Sequence, residues 1–129
     1  LGASLQPIPA PTTMVCGRRL DRHPTIKVVD VQAGCSWASF HMDRMDQKFE
    51  HLGWMGQLNE KPSTYLSQNV WYVAEPDERA IGSQLGLVGE DRILWGSDFP
   101  HIDSTMDAAD RLRAALSGLS EQRHAPAPG

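Results

Sequence analysis

The stretch from Asp91 to Thr105, DRILWGSDFPHIDST, decides how the chain reads. Three apolar residues, Ile93, Leu94 and Trp95, run into Gly96, Ser97 and Asp98, and Pro100 and His101 follow. A short, continuously apolar run of this kind has the form of a strand buried on both faces. Glycine then releases the backbone into a loop whose first polar residues are a serine and a carboxylate.

Two further runs upstream have the same form. TIKVVDV, Thr25 to Val31, is a β-branched run opened by Pro24 and closed by Gln32-Ala33-Gly34. NVWYVA, Asn69 to Ala74, is a second predicted strand, preceded by a helical turn in KPSTYL and followed by Glu75 and Pro76. Between the first two strands Trp37, Phe40, Met45, Phe49 and Leu52 recur at helical spacing, with Ser36 as a candidate cap. After the second strand, Pro76 and Asp77 signal the start of a helix carrying Ile81, Leu85 and Val88, and Gly89 its stop. After RILWG a third helix carries Met106, Leu112, Leu116 and Leu119, with Gly118 near its end. The order strand, helix, repeated three times, predicts an α/β fold with a parallel sheet. Right-handed crossovers then bring the ends of all three strands to one edge, where α/β sheets and barrels bind ligands. The residues expected there are Gln32 and Gly34, Glu75 and Pro76, and Ser97 and Asp98.

Composition restricts the function classes. At 129 residues, 40% hydrophobic and 22% charged, the chain has the profile of one soluble globular domain. Its net charge is −4 and its basic residues are scattered, apart from Arg18 and Arg19 beside Arg22, so nucleic acid is not an expected partner. No apolar stretch is long enough to span a membrane, and the start lacks the pattern of a signal peptide, so a cytoplasmic location is expected. Cys16 and Cys35 have no zinc-ribbon or redox spacing and are expected to be free, mostly buried thiols; a disulfide between them is the alternative. No Gly-rich phosphate loop follows any strand, which disfavours a flavodoxin-like binding module. Pro7, Pro9 and Pro11 mark residues 1–13 as an expected unstructured segment, and residues 121–129, ending in HAPAPG, as an expected unstructured tail.

RHPTIKVVDVQAGCSW, KPSTYLSQNVWYVAEPDE and RILWGSDFPH together resemble the last third of the amidohydrolase-related family of metal-dependent (β/α)8 barrels, which includes aminocarboxymuconate-semialdehyde decarboxylase. The resemblance spans roughly Gly17 to Ser117. It implies a partial TIM barrel, about three C-terminal β/α units with parallel strands, over residues 14–120. It also implies a hydrolase or decarboxylase of a small carboxylated or aromatic compound. By the same resemblance Asp98 is a metal ligand and general base at the end of the last strand. A carboxylate beside a divalent cation can both ligate it and accept a proton from the water it activates. A turn or helix-capping residue is the plain alternative for Asp98. His101 is expected to orient Asp98 or touch substrate, or else to pack as a loop histidine behind Pro100. Gln32 stands where many relatives carry Glu; it can hydrogen-bond a substrate but supplies no negative charge. His41, His51 and His23 are weak ligand candidates, and Trp37, Trp71 and Trp95 are expected in the core.

The cofactor implied is a divalent metal, zinc first and manganese second. The His-x-His pair and the further histidine that hold it in the family have no counterpart in the sequence. Weak or no metal binding by this chain alone is therefore expected. Three β/α units do not close a barrel, which takes about 250 residues, and two open sheet edges favour association. Three accounts remain open. The chain is a C-terminal piece of a longer product, a fragment complemented by a separate N-terminal barrel part, or a shortened relative without the chemistry. A catalytically inactive fragment that self-associates into a homo-oligomer is the alternative function.

Overall fold

In the computed structural model, residues 8–52, 57–75, 78–97, 99–100, 104 and 106–124 are described, with side chains as far as Ser117. The three predicted strands form one parallel sheet in the order β1 (Val28–Asp30), β2 (Val70–Ala74), β3 (Ile93–Trp95). Val28 pairs with Val70 and Asp30 with Tyr72, while Tyr72 pairs with Ile93 and Ala74 with Trp95. Among the described residues six α-helices accompany it: α1 (Pro9–Cys16), α2 (Arg19–Arg22), α3 (Ala38–His51), α4 (Pro62–Asn69), α5 (Ile81–Val88) and α6 (Ala108–His124).

Period-two alternation along β2 divides the sheet into two unlike faces. Val70, Tyr72 and Ala74 are completely buried, on the face that packs with Leu66, Ala38, Met42 and Ile81 in the core. Trp37 meets the Tyr72 ring edge-on with centroids 5.5 Å apart. The opposite face carries Trp71 and Val73, with their register partners Val29 and Leu94. Val29 is 51% and Leu94 41% exposed, so no layer covers this face among the described residues. Lys27 and Arg92 both lie over the Trp71 ring, at 5.7 and 4.5 Å from its centroid, and their aliphatic stems screen part of that apolar surface.

Polar side chains fix how the connecting helices meet. Asp46 of α3 accepts hydrogen bonds from the Ser63 backbone N–H (2.8 Å) and hydroxyl (2.7 Å), closing the start of α4 from another helix. Asn69, at the end of α4, donates to the Pro24 and Ile26 carbonyls at 2.8 Å and so anchors the entry to β1. Asp21 accepts from the Tyr65 hydroxyl (2.6 Å), Arg18 and Asn59, and these bonds, Tyr65 foremost, hold its carboxyl below the usual range.

Several boundaries differ from expectation. Residues 9–13 begin helix α1, although their prolines suggested an unstructured end. Pro9 and Pro11 sit in the first helical turn, where backbone N–H groups have no intrahelical acceptor, and Val15 is buried behind them. Helix α6 passes Gly118 and continues to His124, through part of the expected tail. The ladder of β1 covers only Val28–Asp30 of the expected Thr25–Val31 run. KPSTYL extends to a full eight-residue helix. Both cysteines are free, Cys35 buried and Cys16 half-buried. Trp37 packs against the core as expected, whereas Trp95 at the sheet edge is 40% exposed.

Asp30 and Tyr72 bring an unusual charge to the helix-covered face. Asp30 Oδ2 and the Tyr72 hydroxyl are both buried without a hydrogen-bond partner among the described residues. Burial raises the Asp30 carboxyl above its ordinary value, and burial followed by the Asp30 charge raises the Tyr72 phenol. Because the folded chain prefers the neutral carboxyl, stability is lost as pH rises from the ordinary carboxylate value through the raised one. Asp30→Asn is therefore expected to stabilise the fold at neutral pH by about 1 kcal/mol, the scale of a relieved buried polar group. Urea unfolding at pH 7 and at pH 4 checks this: the gain should be larger at pH 7, and a variant less stable there would contradict it.

Candidate active-site rim

The carboxyl ends of the strands meet at one rim. Beyond β1 come Val31 and Gln32, beyond β2 Glu75, and beyond β3 Gly96 and Ser97. Val31, Gln32, Val73, Ala74, Glu75 and Gly96 line a depression of about 200 Å³. Gly96 keeps this hollow open in a simple way: a Cβ there would stand 3.1 Å from Val73 Cγ1.

Gln32 holds an unfavourable backbone conformation, φ 63°, a left-handed region that residues with a side chain rarely occupy. Gly34, two residues on, has φ 66°. The loop therefore turns sharply twice before α3, and such strain persists only where surrounding contacts enforce it. Those contacts come from the next unit along the chain. Glu78 accepts hydrogen bonds from the backbone N–H groups of Cys35 (2.8 Å), Ser36 (2.8 Å) and Glu75 (2.9 Å). Gln84 of α5 adds two more, accepting from Ser39 N–H (3.1 Å) and donating to the Ser36 carbonyl (3.2 Å). The start of α3 is thus closed by side chains of a later element, and the Ser36 side chain, expected as the cap, is not used.

Burial and the Glu78 charge push the Cys35 thiol up to about 12, so it is inert as a nucleophile at neutral pH. His41 is buried on α3, with its ring edge toward Trp37 and Nε2 3.1 Å from Thr12 Oγ1. Because the Thr12 hydroxyl donates to the Ile8 carbonyl (2.8 Å), Nε2–H is the donor to Thr12. Burial lowers the His41 pKa, as suits a neutral packing histidine away from the rim. His51, at the end of α3, bonds the Gln47 carbonyl on the exposed surface (2.7 Å).

Of the site residues expected from sequence, Gln32 lies on the rim; Asp98 and His101 lie outside the described residues. Glu78 and Gln84 were not expected. The glycine and the carboxylate in AGC and EPDE were visible, but which carboxylate approaches which backbone depends on the crossover that brings the loops together.

The amidohydrolase family matches residues 3–125. The chain belongs to that family. As an amidohydrolase segment it also superposes on the crystal structure of an amidohydrolase from Mycobacterium avium subsp. paratuberculosis K-10. The TM-score is 0.74 at 25% identity, over 87% of this chain and 28% of that one. The chain therefore spans little more than a quarter of the length of this solved relative, and its three parallel strands correspond to part of a barrel. No curated protein sequence matches it. Amidohydrolases generally use divalent metals, yet among the described residues no group of three or more His, Cys, Asp or Glu could hold one. Those residues alone do not fit a divalent cation. No helix among them is long and apolar enough to cross a membrane.

Proposed function

We propose that this chain supplies the strand-end rim of an amidohydrolase that hydrolyses or decarboxylates a small carboxylated or aromatic compound. In this reading Asp98 is the metal ligand and general base, and Gln32 and His101 contact substrate or orient Asp98. The supporting observation is the rim itself, where three parallel strands deliver Gln32, Glu75 and Gly96 to one depression, two residues before Asp98 in sequence. The remaining ligands of a zinc or manganese ion would come from a complementing N-terminal barrel part. A second reading, a catalytically silent piece that self-associates, is favoured by the uncovered face bearing Val29 and Leu94.

Manganese-induced line broadening separates the two. In the 129-residue chain, millimolar Mn²⁺ is expected to broaden the amide signals of Gln32, Glu75, Gly96 and Ser97, and Asp98→Asn is expected to abolish the effect. Broadening that is absent from the rim, or indifferent to Asp98→Asn, would favour the silent reading. Stoichiometric zinc surviving dialysis would contradict the view that other ligands must be supplied.

A further inference from the structure

One carboxylate, Glu78, joins the first and second rim loops. Both its oxygens lie close to Cys35 N–H, at 2.8 and 3.0 Å, while one also serves Ser36 and the other Glu75. Its anionic head has been brought against backbone where no side chain intervenes. A Cβ on Gly34 would approach Glu78 Oε1 to 2.5 Å and the carboxyl carbon to 2.7 Å. The loop it grips is the one that holds Gln32 at positive φ, and the loop it ties in carries Glu75, the other polar residue lining the depression.

We propose that Glu78 is a positioning residue of the rim: its carboxylate, by gathering the Cys35, Ser36 and Glu75 N–H groups, sets Gln32 and Glu75 in register around one depression. The inference takes the rim as the site, as argued above, but its geometry is independent of any metal. A neutral carboxamide of the same size offers a single acceptor oxygen and turns an NH₂ toward donors, so it cannot hold three N–H groups. Bonds to an ionised acceptor are roughly twice as strong as neutral ones, which is why a single side chain can hold two loops.

A helix cap would have the same hydrogen bonds to Cys35 and Ser36, and the test must distinguish the roles. Gln84 provides the comparison, because it too closes α3, through Ser39 N–H and the Ser36 carbonyl. A residue at positive φ gives a strong intraresidue cross-peak between its amide and Hα protons, so Gln32 carries its own spectroscopic signature. In Glu78→Gln and Glu78→Ala this cross-peak is expected to weaken. Amide exchange at Cys35, Ser36 and Glu75 is expected to quicken roughly tenfold or more. Adding acetate to Glu78→Ala should restore both, since the free carboxylate can occupy the vacated donors. Gln84→Leu should quicken exchange at Ser39 and leave the Gln32 cross-peak intact. Should Glu78→Ala fail to fold, Glu78→Gln, which keeps the side-chain volume, decides. An unchanged Gln32 signature in Glu78→Gln, or an equal loss in Gln84→Leu, would overturn the proposal. Failure of Mn²⁺ to broaden the wild-type rim counts against the metal reading alone, because the cross-peak and exchange measurements need no metal.

Discussion

Leu66→Ala is expected to lower the free energy of unfolding by about 2–5 kcal/mol, the range for a leucine removed from a closed core. Leu66 is completely buried, on the α4 turn that leads directly into β2, and it packs in the same cluster as Val70, Tyr72 and Met42. Domains of ordinary stability hold only about 5–15 kcal/mol in reserve. Among the described residues this sheet is covered on one face only, which removes apolar contacts that a closed barrel would add. The loss is thus a large fraction of what is available. Urea unfolding monitored by tryptophan fluorescence should show a midpoint shifted far down with an unchanged slope. A midpoint within error of wild type would mean that α4 does not anchor the central strand as described.

Gly34→Ala is expected to be the most damaging substitution on the rim. An L-residue held at φ 66° costs about 1–2 kcal/mol, since its Cβ crowds the following carbonyl. The added methyl also collides with the Glu78 carboxylate, which must swing away from the N–H groups it gathers. The combined loss is about 2 kcal/mol or more, because charged hydrogen bonds weaken with the strain. Thermal unfolding should report the loss, and the amide signals of Cys35, Ser36 and Glu75 should move together. Substituting Gly86 gives the contrast. It lies inside α5 with open space around its would-be Cβ, so Gly86→Ala should be neutral or stabilising.

What could be read from sequence divides along a physical line. Ile93–Trp95 and Val70–Ala74 were legible because continuous apolar runs of that length, bounded by glycine or polar residues, have few alternatives. The parallel order followed from runs whose crossovers carry helices, and the family from the resemblance carried by KPSTYLSQNVWYVAEPDE and RILWGSDFPH. Gln32 was legible as a strand-end residue, although its positive φ was not, since nothing in a glutamine side chain asks for it. Prolines near an N-terminus read as breakers in sequence, because their role changes with position, and only the structure places Pro9 and Pro11 in a first turn. Glu78 was least legible of all. Two of its three partners, the Cys35 and Ser36 N–H groups, lie more than forty positions earlier, so no local pattern encodes the link between the loops. Asp98 and His101 remain the residues that the family resemblance, rather than the described geometry, brings to the rim.

The strand order carries a consequence for biosynthesis. Because β1, β2 and β3 lie side by side in the order they are synthesised, each can dock on its predecessor as it leaves the ribosome, without waiting for a distant partner. The β2–β3 crossover is shorter than the β1–β2 crossover, so the last pairing closes the smaller loop at the lower entropic cost. A nascent chain of this kind can mature by accretion, one strand at a time.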